Sequence, residues 1–494
     1  MPEQVDVLLI NPGDRKQIYQ GLGDQISAIE PPVMAGLLAN YLRRLGFRVA
    51  IYDTPALEVS AATAARAAVE EFRATLIVLP VYGYQPSAST QNMTSAGTIA
   101  RLIKEASPQA RILMTGTHPA ALPERTMREE SIDFVCSGEG PVTLRDTLQV
   151  LQNGLDDFST VPSLWWRSGK QIIPPRTQAP LLQNLDMEMP GVAWDLLPMQ
   201  NYRAHNWHCF GDIQNRKPYA SLFTSLGCPF HCNFCCINAP FGKPSYRMWS
   251  PETVVREIGF LVEQHGVRNI KFVDEMFVLN KRHVRGICER LIERGYDLNI
   301  WAYARVDTVY DELLDLLRQA GFRWLCLGIE SASEHVRDGA DKSLTDQEII
   351  KTVRRVQNAG IHVLGNYLFG LPEDTPARMQ ATLDLALELN TEFANLYSAM
   401  AYPGSHLYAL AVEKKLALPE RWHHYSQHAY ETRPLANAHL TAAEILAFRD
   451  KAFQTYFTHP PYLELVRQKF GQETVEHLHR VTAIPLRRQL LEHP

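Results

Sequence analysis

The stretch Ser225-Leu226-Gly227-Cys228-Pro229-Phe230-His231-Cys232-Asn233-Phe234-Cys235 constrains this chain more than any other. Three of the eight cysteines stand at spacing C-x3-C-x2-C, just after an apolar run, Tyr219 to Phe223, that reads as a strand. A loop leaving a strand end can turn three thiolates towards one point, and thiolates are the soft ligands that iron–sulfur clusters and zinc select. A four-iron cluster bound by three cysteines keeps one iron open to a small molecule, which points to chemistry more than to scaffolding. A structural zinc site is the other reading. It wants a fourth ligand, for which Cys236, His231, Cys209 and His208 are available. Adjacent cysteines strain a shared tetrahedron and no second C-x2-C knuckle follows, so Cys236 reads as a loop thiol.

At 494 residues the chain exceeds what one core supports, so two or three domains are expected. Its 46% apolar and 21% charged residues are those of a soluble globular protein. With 49 basic against 54 acidic residues the net charge is −5, and no long basic run appears, so nucleic acid is not expected as a principal partner. The opening Met1-Pro2-Glu3-Gln4-Val5-Asp6 is unlike a signal peptide. No segment approaches the ~18 uninterrupted apolar residues of a bilayer span. Clustered cysteines favour metal binding over disulfides, and a cytoplasmic location is expected.

Residues 1–150 alternate strand and helix. Val5 to Ile10, Arg48 to Tyr52, Leu76 to Pro80, Arg111 to Met114 and Phe134 to Cys136 read as strands, with helices over 33–45, 61–72 and 95–106. The expected fold class is α/β: a doubly wound, Rossmann-like domain whose ligands sit beyond the carboxyl ends of its strands. The loops there are Asn11 to Asp14, Val81 to Ser87, Gly116 to Pro119 and Ser137 to Gly140. Residues 151–217 read as a connector with a hairpin turning at Ser168-Gly169, then Pro-rich chain. Its Trp165, Trp166, Trp194 and Trp207 suit packing between domains or a pocket wall. Residues 218–410 give six strands with crossover helices, a partial (β/α)6 TIM-like barrel with polar residues at its strand ends. Residues 411–494 form a helical tail, with Thr441 capping a helix over 442–458 that Pro460-Pro461 ends. His423, His424 and His428 read as a solvated or substrate-facing edge rather than a metal site.

The cysteine spacing, with Phe234 before the third cysteine, resembles the cluster loop of the radical S-adenosylmethionine (SAM) superfamily. Gly328-Ile329-Glu330-Ser331 resembles that family's fourth-strand end and Arg305-Val306-Asp307 its third-strand motif. Asp274-Glu275 stands where the family has an acidic pair near the SAM ammonium. Asn366 to Glu373 is similar to the adenine-contacting G-x-I-x-G-x-x-E motif, with Asn366 and Leu368 in place of the first Gly and the Ile, so contact there rests on Gly370 and the backbone. The order Pro31-Pro32, Gly116-Thr117-His118-Pro119 and Ser137-Gly138-Glu139-Gly140-Pro141 resembles the cobalamin-binding domain fused in front of many radical SAM enzymes.

The resemblance implies a 4Fe-4S cluster on Cys228, Cys232 and Cys235, and SAM held by Phe234, Asp274, Glu275, Arg305, Glu330, Ser331 and Gly370. It implies cobalamin at Asn11, Pro12, Tyr82, Gln85, Ser87, Gly116, Thr117, His118, Gly138, Glu139 and Gly140. The D-x-H-x-x-G motif of other cobalamin proteins is missing, and His118 is the only histidine in the first 200 residues. It either ligates cobalt or holds the cofactor tail or the turn by hydrogen bonds. The implied activity is methyl transfer from methylcobalamin to an unactivated carbon of a small molecule, after hydrogen abstraction by a 5′-deoxyadenosyl radical. A flavodoxin- or ferredoxin-type protein would supply the electron, and the enzyme is expected to be a monomer. Oxidation, cyclisation or rearrangement with the same cofactors is the alternative, and a zinc-stapled binding protein is the alternative of another class.

Overall fold

In Glu3–Asn11 (β1) alternate residues are apolar towards both faces: Val7 and Leu9 enter one core, Leu8 and Ile10 the other. A strand so patterned must lie mid-sheet with helices above and below. In the computed structural model, which describes residues 2–83, 85, 87–341 and 344–492 and only the backbone of Asp24, it does. Val49–Asp53 (β2), Phe72–Pro80 (β3), Ile112–Thr115 (β4) and Phe134–Cys136 (β5) run parallel to it in the order β2-β1-β3-β4-β5. Helices Val33–Arg44 and Pro141–Gln152 cover one face, Ala61–Glu70 and Ala88–Ala106 the other.

The hairpin Leu164–Ser168 (β6) and Gln171–Ile173 (β7) was expected in the connector; it extends the first sheet instead, β6 pairing antiparallel with β5. It covers the free edge of β5, where Phe158 packs edge-on against Phe134 and tilts onto Trp166.

Tyr219–Leu222 (β8) opens the barrel. Two short strands follow, Ser225–Leu226 (β9) and Arg247–Met248 (β10), then Asn269–Phe272 (β11), Asn299–Arg305 (β12), Phe322–Glu330 (β13), His362–Phe369 (β14) and Phe393–Ser398 (β15). The six long strands are parallel, in the order β8-β11-β12-β13-β14-β15. The crossover helix Pro251–His265 starts as expected, Ser250 accepting from the Thr253 amide. The connector plugs the amino-terminal end of the barrel: the Trp207 ring lies 5.0 Å from Trp301 and 5.3 Å from Trp324. In the tail, Thr441 and Glu444 form a capping box for Ala442–Phe457. Pro460-Pro461 ends that helix and also begins the next, Pro460–Phe470, because proline at the first helical position lacks only an amide that has no partner there.

Two buried ion pairs fasten the first domain to the barrel. Arg247 of β10 donates to both oxygens of Glu139, at 2.6 and 3.1 Å, and to the Leu182 carbonyl. Lys271 of β11 meets Glu30 at 3.1 Å, with His205 of the connector 3.5 Å from the same carboxylate.

Candidate active site

The carboxyl ends of both sheets face one another, and two communicating cavities lie between them. The first, about 1300 Å³ with its mouth, sits on the cysteine loop. The second, about 1480 Å³ with its mouth, runs from the first domain's strand-end loops into the barrel lumen. Gln85, Ser87, Tyr303, Cys326, Tyr397, Tyr402 and Gln427 line both and form the waist where they meet.

The cysteine loop is held at its base by the β9–β10 ladder, which ties Ser225-Leu226 to Arg247-Met248. Gly227 makes the turn at φ +85, packed so closely on the Ser245 carbonyl that a Cβ would stand 2.6 Å from it. Cys228, Cys232 and Cys235 all line the first cavity. Burial pushes the Cys228 thiol up to about 11 and Cys235 well above its ordinary value.

Of the other zinc-ligand candidates, His208 and Cys209 lie elsewhere. His208 Nε2 donates to the Asn299 carbonyl and Cys209 to the Asn215 carbonyl at the far, amino-terminal end of the barrel, and His231 is exposed. Cys236 is buried beside Cys235. A single zinc ion needs sulfurs about 3.8 Å apart, from Zn–S bonds of about 2.3 Å. Among the described residues no three His, Cys, Asp or Glu side chains gather in that way. Cys228, Cys232, Cys235 and the adjacent Cys236 share one cavity wall, and the C-x3-C-x2-C spacing of the first three suits a multi-iron cluster.

Of the residues expected around SAM, Phe234, Glu275, Arg305 and Glu330 line the cluster cavity. Burial lifts the Glu275 carboxyl to about 7, with Lys271 opposing the shift. Glu330 is reached through a register shift in β13 between Gly328 and Glu330 and sits at φ +66, a left-handed conformation that costs a non-glycine residue about 1 kcal/mol or more. That strain turns its carboxylate towards the cavity. Three others do not line it. Asp274 is turned away, accepting bonds from the Thr224 amide and hydroxyl, and from Ser225. Ser331 is fully buried, its hydroxyl beside Thr382 and accepting from the Ser333 amide. Gly370 packs on Ile445, with its amide on Asp374. All three brace strand ends behind the cavity.

Of the residues expected around cobalamin, Pro12, Gln85 and Ser87 line the second cavity. The others shape the loops behind it. Asn11 donates to Asp53 at 2.8 Å and Tyr82 to the Glu139 carbonyl at 3.0 Å. Glu139 is spent on Arg247. Gly116, at φ +129, lies against the Val81 carbonyl, Thr117 is buried beside it, Gly138 abuts Ser163 and Gly140 abuts Leu38. His118 does not line the cavity. Its Nδ1 meets Thr90 at 3.3 Å, its amide donates to Ser89, and Trp422 packs edge-on at 4.4 Å. Burial pushes its pKa down to about 3, so the ring is neutral. Holding the turn is the geometry observed.

Sequence reading missed Gln91 and Asn92, because the helix begins at Ala88 and not at Ser95. It also missed the lumen residues Tyr303, Cys326, Asn395 and Tyr397, although their every-second-residue spacing towards the strand ends was a usable signal. His428 lines the cavity and accepts from Arg449 at 3.3 Å, whereas His423 turns to Thr94.

A partial (β/α)6 barrel with a three-cysteine loop, closed by a doubly wound sheet at its strand-end face, defines a two-cofactor architecture. The model of the radical SAM superfamily matches residues 222–386, and that of the B12 binding domain residues 19–148. The uncharacterized methyltransferase PH0819 of Pyrococcus horikoshii is 32% identical over 380 residues, 76% of this chain and 79% of that protein. The anaerobic magnesium-protoporphyrin IX monomethyl ester cyclase of Rubrivivax gelatinosus is 26% identical over 81% of this chain and 69% of its own. In fold, the chain is similar to the radical SAM methyltransferase TsrM of Kitasatospora setae with tryptophan and a SAM analog bound, at TM-score 0.66 and 17% identity over 96% of this chain and 97% of TsrM. It is also similar to OxsB with aqua-cobalamin and SAM bound, at TM-score 0.69 and 16% identity over 97% of this chain and 70% of OxsB. The chain belongs to the radical SAM superfamily, in the branch that carries a B12-binding domain. Its cofactors are a 4Fe-4S cluster, SAM and cobalamin.

Proposed function

We propose that the protein is a C-methyltransferase that places one carbon of a small molecule at the waist between the two cavities. The observation that carries this reading is that waist: a reacting carbon there can be approached from the cluster side and from the cobalamin side without moving. When bound, cluster and SAM supply a hydrogen-abstracting radical and cobalamin a transferable methyl group. The chain's own work is positioning and exclusion of water. Glu275, Arg305 and Glu330 offer acids and a cation to the amino-acid end of SAM, Phe234 and Leu368 an apolar wall. Pro12, Gln85, Ser87, Gln91 and Asn92 face the second cavity from the first domain, where a corrin would lie. Tyr303 and Tyr397, with Asn395 and Trp301, offer an aromatic lumen with hydroxyl and amide groups for the substrate. The names of PH0819 and TsrM support methyl transfer over oxidation.

An external flavodoxin- or ferredoxin-type donor, action as a monomer and a cytoplasmic location complete the proposal. Among the described residues no helix is long and apolar enough to cross a membrane. The test is anaerobic turnover with methyl-labelled SAM, methylcobalamin and reductant on small-molecule extracts, read by mass spectrometry. Label in a product carbon is expected. Turnover with 5′-deoxyadenosine released and no label in any product would replace methylation with oxidation or cyclisation.

A further inference from the structure

Arg305 ends β12 beside the cysteine loop, and its fork is divided between two tasks. Nε and Nη2 donate to the two oxygens of Asp307, at 3.0 and 2.9 Å. Nη1 is left pointing at Cys232 Sγ, 3.7 Å away. The guanidinium lies 4.1 Å over the ring of Phe230, a residue of the same loop. Loop sulfur, loop ring and Asp307 together fix the plane of the cation, so it docks the loop on the strand end and stays aimed at one ligand sulfur.

We propose that Arg305 is a positioning residue that raises the reduction potential of the cluster by donating to the Cys232 sulfur. The inference rests on the cluster assignment above and goes beyond it. An N–H donor and a positive charge at a ligand sulfur withdraw electron density and favour the more negative, one-electron-reduced cluster. Asp307 does not cancel the effect. Its side chain is 38% exposed against 10% for Arg305, so water screens the carboxylate far more than the cation beside the sulfur.

The test is a dithionite titration monitored by electron paramagnetic resonance on anaerobically reconstituted wild type, R305Q, R305M and R305K, with SAM omitted. A residue that only bound the SAM carboxylate would leave these potentials unmoved. At the potential where wild type is half reduced, the reduced-to-oxidised ratio is expected to fall about tenfold in both neutral variants, a 59 mV negative shift for a one-electron couple. R305K, which keeps the charge, is expected to stay closer to wild type. An unchanged ratio in a neutral variant of full iron content overturns the proposal, as does an equal fall in R305K. If neither neutral variant retains four irons, the role is structural and tuning is likewise overturned. A wild type that takes up no cluster would sink the proposed function itself.

Discussion

Removing either partner of the Glu30–Lys271 pair is the most informative perturbation of how the domains are joined. The side chains are 2% and 3% exposed and meet at 3.1 and 3.2 Å. At an effective dielectric constant of 20, two charges 3.1 Å apart attract by roughly 5 kcal/mol. Breaking such a pair leaves one charge buried, a loss of about 3–5 kcal/mol. His205 beside Glu30, and Trp301 whose ring lies 5.0 Å from Lys271 Nζ, soften each loss. E30Q and K271M are therefore expected to cost about 3 kcal/mol each, and the double variant only about 1–2, a coupling of about 4–5 kcal/mol. Urea unfolding followed by tryptophan fluorescence at pH 7.5 reads all four corners of the cycle. Additivity within about 0.5 kcal/mol would refute the reasoning. Burial alone would raise the Glu30 carboxyl, but Lys271 and His205 more than offset it and hold it below its ordinary value. The pair's contribution is thus full above the ordinary carboxylate pKa and lost as pH falls through the depressed folded value. The gap between wild type and E30Q should close in acid.

C232A should abolish the brown absorbance of the reconstituted protein while C236A keeps it, since only the former supplies a cluster ligand; equal iron loss in both would overturn the assignment. Burial first, then neighbouring Glu129, raises the Glu130 carboxyl to about 7. Folded-state ionisation is then disfavoured and stability falls as pH rises from about 4.5 to 7, so E130Q should gain about 1–2 kcal/mol at pH 8 and nothing at pH 4, by thermal melts at both values. W207A removes the aromatic plug of the lumen and should cost about 3–5 kcal/mol in urea unfolding; a loss under 1 kcal/mol would show that the floor closes without it.

Much of the architecture is legible along the chain because it is periodic. The alternation through Val7, Leu8, Leu9 and Ile10 fixes a sheet covered on both faces, and six apolar strands separated by amphipathic helices fix the half-barrel. Three thiols in a span of eight residues just after a strand, on a loop too short to separate them, fix a metal-cluster loop. What each polar residue beyond that loop faces was left to the tertiary structure, because a side chain's direction depends on partners distant in sequence. Asp274 and Glu275 are neighbours, yet one braces Thr224 and the other enters the cavity. Glu139 stands in a glycine loop suited to a ligand, yet Arg247, over a hundred residues on, claims it. The waist is built from Gln85 and Ser87 of the first domain, Tyr303, Cys326 and Tyr397 of the lumen, and Tyr402 and Gln427 beyond it. No local pattern joins those residues; only the stacking of one sheet's strand ends on the other's brings them together.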